Sequence, residues 1–174
     1  VASFHIEDPY KTLAIKTLKH YFKTQKTLEV PKELPKEMFE EKAGVFVSIK
    51  KNGHLRGCIG TIQATRKNIA AEIIQNTLSA SFKDPRFPPI RKSELDNLSF
   101  SVDVLKKPEQ VKNLSELDVN RYGVIVSHHH RRGLLLPNLQ GIKTVDEQIQ
   151  IALRKAGISS GEPYQIERFE VIRH

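Results

Sequence analysis

Cys58 is the only cysteine of the chain and lies in Leu55-Arg56-Gly57-Cys58-Ile59-Gly60-Thr61, where a thiol, a permanent cation and two glycines fall within a few residues. Any covalent or redox chemistry by a cysteine has to happen there. A thiolate is a useful nucleophile near neutral pH only when a charge stabilises it, and on an extended strand Arg56 points to the same face as Cys58. Gly57 and Gly60 would let a ligand approach the backbone. Apolar neighbours act the other way. A two-residue hairpin at Asn52-Gly53 puts Val47 opposite Cys58 and Ile49 opposite Arg56, which favours a neutral thiol, so a structural or ligand-binding role stands beside the nucleophilic one. His54 shares the parity of Cys58 but lies roughly 13 Å along the strand. A Cys-His dyad would need another histidine brought in by the fold.

An arginine in an interior strand must find a carboxylate, backbone carbonyls or an anionic ligand. Asp84 is the expected partner of Arg56, either as a structural ion pair or as the group that orients Arg56 toward a bound oxyanion. The candidate catalytic set is therefore Cys58, Arg56 and Asp84. Arg56 would hold an oxyanion or carboxylate, Cys58 attack or shield, and Asp84 orient Arg56 or move a proton. Gly57, Gly60 and Arg86 are the candidate binding residues. His128-His129-His130 reads as a solvated hairpin turn, and His5, His20 and His174 show no ligand spacing. No phosphate-cradling loop, catalytic triad or paired-carboxylate spacing is present, and no cofactor or metal is expected.

These residues need elements to carry them. Asp8-Pro9 reads as the start of a helix running to about Thr24, and Pro31 and Pro35 mark an extended connector. Val45 to Ile49 and Leu55 to Ile62 form a hairpin around Asn52-Gly53. Arg66 to about Phe82 has apolar residues at helical spacing, and Asp84-Pro85 stops that helix. Leu98 to Val104 alternates as a strand with one buried face, and Tyr122 to Val126 pairs with Gly133 to Leu136 around a basic turn. Thr144 to Glu147 fits a capping box for a helix ending at Gly157, and Tyr164 to Ile172 reads as a final strand. Ser93 to Asp96 and Ser115 to Asp118 repeat Ser-Glu-Leu-Asp as local turn or cap chemistry. The order favours an α+β fold, a largely antiparallel sheet flanked by helices with a smaller second lobe, in one domain over 1–174.

With 174 residues the chain suits one domain able to bury a sizeable core. One cysteine permits no internal disulfide, so the cytoplasm is the default compartment. No apolar run approaches the ~20 residues of a membrane span, and Val1 to Tyr10 lacks the order of a secretory signal. The formal charge of +8 favours acidic or phosphate-bearing partners. The basic residues are dispersed and no aromatic stacking motif accompanies them, so nucleic-acid binding rests on charge alone.

Gly44-Val45-Phe46-Val47 leading into Leu55-Arg56-Gly57-Cys58-Ile59-Gly60, then Asp84-Pro85-Arg86-Phe87-Pro88-Pro89, Gly133-Leu134-Leu135-Leu136-Pro137 and Arg154-Lys155-Ala156-Gly157, recur in order over about Phe39 to Gly157. Together they resemble the AMMECR domain family, known in bacteria and archaea as protein A of the AmmeMemoRadiSam group. The resemblance implies an α+β domain with a main antiparallel sheet and a smaller lobe. It also implies Memo-like and radical S-adenosylmethionine (radical SAM) proteins as partners. Asn138 stands where the family has glutamine after Leu-Leu-Leu-Pro, and the histidine triplet is particular to this chain. Three functions remain open: an enzyme or enzyme subunit binding a small anionic or carbonyl-bearing substrate at Arg56–Gly60 and Asp84–Phe87, a non-catalytic module presenting that groove to a partner, or, on charge alone, nucleic-acid binding.

Overall fold

Asp8 opens the first helix as its residue type dictates: its carboxylate accepts the backbone N–H groups of Tyr10 and Lys11, and Pro9 takes the first helical position, where an N–H would go unpaired. The structure, a computed structural model, describes residues 7–174; His5 and most of the Val1 to Tyr10 segment lie outside them. Helix α1 (Pro9–Thr24) ends on Gln25 in the left-handed region. The connector holds one further element, the short helix α2 (Lys36–Glu40), which carries Met38 into the core. Strands β1 (Val45–Lys51) and β2 (His54–Gly60) flank Asn52 and Gly53, whose φ values of 49° and 84° suit a tight hairpin turn. Helix α3 (Ile69–Phe82) begins later than its apolar spacing suggests, because Asn68 caps it by accepting the Ala71 N–H. The rest comprises two 3-10 helices (Lys92–Asn97 and Leu114–Glu116), β3 (Leu98–Leu105), β4 (Glu109–Gln110), β5 (Gly123–His128), β6 (Arg131–Leu135), α4 (Val145–Ala156), β7 (Gln165–Phe169) and β8 (Val171–Arg173).

The chain divides into two compact units, one running up to Val104 and including Arg173 and His174, the other Leu105–Ile172. In the first, a sheet of order β2-β1-β3-β8 turns Val45, Val47, Ile49, Phe100 and Val102 toward Leu13, Leu18, Ile69 and Ile73 of the helices. Strand alternation leaves Phe46, Ser48, Ser101 and Asp103 on the opposite face. In the second, the smaller lobe, α4 lays Ile149, Ala152 and Leu153 on Val124, Val126 and Leu135 of a sheet of order β4-β7-β5-β6. Thr144 caps α4 through the Glu147 N–H, and Gly157, at φ 70°, ends it. The fold is α+β, with antiparallel pairing in both sheets. Among the described residues no helix is long and apolar enough to cross a membrane.

Two local expectations are corrected. The final strand is two, β7 and β8, which lie in different sheets because the chain leaves one ladder at Phe169 and enters the other at Val171. The hairpin register also differs. Lys51 pairs with His54 and Lys50 with Leu55, but Ile49 pairs with Gly57 and Ser48 with Cys58, so Arg56 is an extra residue without a partner on β1. This bulge makes Ser48, not Val47, the neighbour of Cys58.

Gly57 is required for packing. A Cβ there would stand 2.2 Å from the carbonyl oxygen of Ala80 in α3, a backbone atom that cannot step aside. Gly57→Ala is therefore expected to lower the unfolding free energy by about 2 kcal/mol, the usual cost of overpacking. A urea titration of both proteins checks this, and equal midpoints would show that α3 moves freely relative to β2.

Candidate functional site

The residue types of Asp84-Pro85-Arg86-Phe87 dictate a turn, with aspartate first and proline second, and the Phe87 N–H closes it on the Asp84 carbonyl at 3.2 Å. Asp84 Oδ1 accepts the Arg86 N–H at 3.0 Å and the Arg86 Nε at 3.1 Å, while Oδ2 accepts Arg86 Nη2 at 2.8 Å. The same Oδ2 accepts the backbone N–H of Cys58 at 3.0 Å, and Arg86 Nη2 donates to the Cys58 carbonyl at 3.4 Å. β2 is an edge strand, and the turn's two charged side chains stand where a further strand would bond.

The pair is asymmetric. The Asp84 side chain is 2% exposed and that of Arg86 56%. Four donors, foremost the Arg86 guanidinium, hold the Asp84 carboxyl down at about 2 against the opposing effect of burial. Arg86 stays charged, its own pKa raised by Asp84, and lies 5.4 Å from the centre of the Phe87 ring. Its Nη1 has no hydrogen-bond partner among the described residues.

Cys58 is half-buried, with its sulfur 3.2 Å from the Ser48 hydroxyl. Burial pushes the thiol up from its ordinary pKa. The Ser48 hydrogen bond and the charge of Arg86 pull it down, and Asp103 and Asp84 add to the rise. At neutral pH the site holds a thiol, not a preformed thiolate.

Arg56 is elsewhere. The bulge sends it to Glu94, whose Oε1 accepts Nε at 3.0 Å and whose Oε2 accepts Nη2 at 3.2 Å, with both side chains 12% exposed. It also donates from Nη1 to the Pro88 carbonyl at 2.7 Å and from Nη2 to the Pro89 carbonyl at 3.2 Å. The expected Arg56–Asp84 pair is therefore corrected to Arg56–Glu94 and Asp84–Arg86. Glu94, carried by the 3-10 helix Lys92–Asn97, also accepts Lys51 Nζ and the Arg91 N–H. It is the residue that sequence reading missed. Its signal was that an acidic partner for Arg56 had to come from beyond the helix stop, where Ser-Glu-Leu-Asp supplies one.

Cys58, Asp84 and Arg86 thus come together, while Arg56 clamps the loop that bears Arg86. The glycines differ from expectation in their reason. Gly57 faces Ala80 of α3, and a Cβ on Gly60 would strike the Phe46 ring at 2.2 Å, so protein atoms fill both spaces. His129 and His130 form the turn between β5 and β6.

The chain resembles sequences of other organisms along nearly its whole length. It is 52% identical over 169 residues to Protein CA_C1420 of Clostridium acetobutylicum, covering 97% of this chain and 36% of that protein, so it spans little more than a third of that relative. A Thermotoga maritima protein is 46% identical over 170 residues, 97% of this chain and 98% of that one. The crystal structure of the uncharacterized protein PH0010 from Pyrococcus horikoshii superposes with a TM-score of 0.87 at 31% identity, covering 98% of this chain and 93% of that one. The AMMECR1 family profile matches residues 11–174, and the chain belongs to the AMMECR1 family.

Proposed function

We propose that the corner formed by Cys58, Asp84 and Arg86 recognises a small anionic or carbonyl-bearing group, as an enzyme or enzyme subunit. The observation that carries this reading is a nearly buried carboxylate holding a half-exposed guanidinium in a fixed orientation beside the only thiol. A cation oriented before its ligand arrives loses little freedom on binding. In this reading Arg86 contacts the ligand, Asp84 positions Arg86, Cys58 lines the site as a neutral thiol, and Arg56 acts through the Pro88-Pro89 loop. Gly57 and Gly60 contribute by keeping β2 close to α3 and Phe46.

Alkylation of Cys58 tests it, because iodoacetate carries a negative charge and iodoacetamide does not. The iodoacetate-to-iodoacetamide rate ratio is expected to fall about fivefold in Arg86→Gln, on the order of 1 kcal/mol for one nearby cation. An unchanged ratio in a folded variant removes Arg86 from anion recognition.

A second reading, a module for a protein partner, is favoured by the Clostridium relative, in which the matching region is 36% of a longer chain. The same region makes up 98% of the Thermotoga relative, so it occurs both within a longer chain and nearly alone. Memo-like and radical SAM proteins are the proposed partners. Co-purification with each, using the unaltered chain and Arg86→Ala, tests this: association lost in the variant supports the corner as the docking face, and equal association removes it.

A further inference from the structure

The outer edge of β2 continues beyond the two backbone groups that Asp84 and Arg86 occupy. The Thr61 N–H donates to the Val45 carbonyl at 3.0 Å, so Thr61 turns its backbone toward β1. Backbone groups alternate in direction along an antiparallel ladder, which sends those of Ile59 and Gly57 to β1 as well and those of Cys58 and Gly60 outward. Cys58 follows the pattern, with its N–H on Asp84 and its carbonyl receiving Arg86. The next outward N–H and C=O are those of Gly60, which is half-buried. Neither has a hydrogen-bond partner among the described residues.

Arg86 is oriented toward that gap. Its Nη2 gives one hydrogen to Asp84 Oδ2 and the other to the Cys58 carbonyl, so the side of the guanidinium formed by Nη1 and Nη2 faces the strand edge. Nε and Nη2 are committed, and Nη1 is not. Along the edge the order is therefore a cationic donor, a backbone donor and a backbone acceptor. A residue pairing antiparallel with Gly60 sets its carbonyl opposite the Gly60 N–H and its N–H opposite the Gly60 carbonyl, and its chain runs toward Cys58. A continuing chain is stopped there, because Asp84 and Arg86 already hold the groups of Cys58. A chain that ends at this point fits. Its terminal carboxylate has a second oxygen where the next peptide nitrogen would stand, and a negative charge for Arg86. Side chains of paired residues share a face, and on this face the Phe46 ring lies over Gly60, so the last side chain meets an apolar surface.

We propose that the β2 edge at Gly60 binds the carboxyl-terminal residue of an extended peptide, antiparallel to β2, with its carboxylate shared between the Gly60 N–H and Arg86 Nη1 and its N–H on the Gly60 carbonyl. The assignment rests on the reading of Arg86 as an anion-recognising residue and gives that anion a class. Main-chain hydrogen bonds supply the affinity, and the terminal charge selects a free acid over an amide or an internal segment.

The probes are acetyl-Ala-Ala-Leu as the free acid, the same peptide as its carboxyl-terminal amide, and the free acid N-methylated at leucine, in calorimetric titrations of the full chain. The free acid is expected to bind about tenfold more tightly than the amide, the worth of one charge-assisted contact. N-methylation removes the donor to the Gly60 carbonyl and is expected to cost about fivefold. Arg86→Gln is expected to bring the acid to the level of the amide and to leave the amide unchanged. The ligand comparisons use the unaltered chain, so they decide the matter even where that variant folds poorly. Exchange of the Gly60 N–H with solvent is expected to slow severalfold in the presence of the acid. An acid that binds no better than the amide, a methylated acid that binds as well as its parent, or a Gly60 N–H whose exchange is unchanged overturns the proposal. Where such a result comes with an iodoacetate preference that still depends on Arg86, the single-anion reading stands and only the peptide assignment falls; where that preference is absent too, both fall.

Discussion

Asp84→Ala is expected to lower the unfolding free energy by about 3 kcal/mol, the lower end of the range for breaking an ion pair whose carboxylate is buried. Four hydrogen bonds end on this side chain, from Cys58 N–H, Arg86 N–H and two guanidinium atoms. The cost stays at the lower end because the abandoned guanidinium is more than half exposed and rehydrates. Asp84→Asn keeps an oxygen for the Cys58 N–H and is expected to cost about half as much. Losing Asp84 also opens the outer edge of β2, so the alanine variant is expected to associate at high concentration as unpaired strand edges do. Urea unfolding measures the first effect and light scattering the second. A loss under about 1 kcal/mol would mean that solvent satisfies the edge and that Asp84 is not its anchor.

What the sequence made legible follows the range of the interaction. Asp8-Pro9, Asn52-Gly53, Thr144 to Glu147 and Gly157 act on backbone within a few residues, and their helices and turn stand where local chemistry puts them. The core stripes of α1, α3 and β3 were equally readable, since alternation and helical spacing are properties of one element. The site was legible only as a set of blocks. Cys58, Asp84 and Arg86 meet, but which carboxylate takes which arginine depends on a single extra residue in β2. A bulge has no signature when Asn52-Gly53 already satisfies the turn, and moving one residue exchanges the faces of a strand. The split of the last strand was hidden for a related reason. Tyr164 to Ile172 has strand composition throughout, and only the two ladders it joins reveal the break at Glu170. Arg173 and Asp103 lie seventy positions apart, and the final strand brings them together only once it is seated in its sheet.

Glu94→Ala is expected to be as damaging as the loss of Asp84, about 3–4 kcal/mol, because Arg56 is left with two proline carbonyls and no counter-charge in a site where both side chains are 12% exposed. The effect reaches the candidate site through chain geometry. Arg56 bonds Pro88 and Pro89, next in line after Arg86 and Phe87, so a loosened clamp frees the turn and lowers the iodoacetate-to-iodoacetamide ratio at Cys58 as well. Acid provides a second measure. Asp84 and Glu94 are both held at about 2, from ordinary values of 3.8 and 4.5, by hydrogen bonds from Arg86 and Arg56 respectively. A carboxyl whose pKa is depressed on folding stabilises the native state fully above its unfolded pKa and loses that contribution as pH falls through its folded one. Stability is therefore expected to be flat from these groups above about pH 5 and to fall by on the order of 5 kcal/mol between there and about pH 2. In Glu94→Gln roughly half of that decline should vanish, since one of the two titrating groups is gone. Unfolding free energies from urea titrations at a series of acid pH values measure the slope, and a Glu94→Gln protein with the parent's slope would show that Glu94 is not held ionised by Arg56.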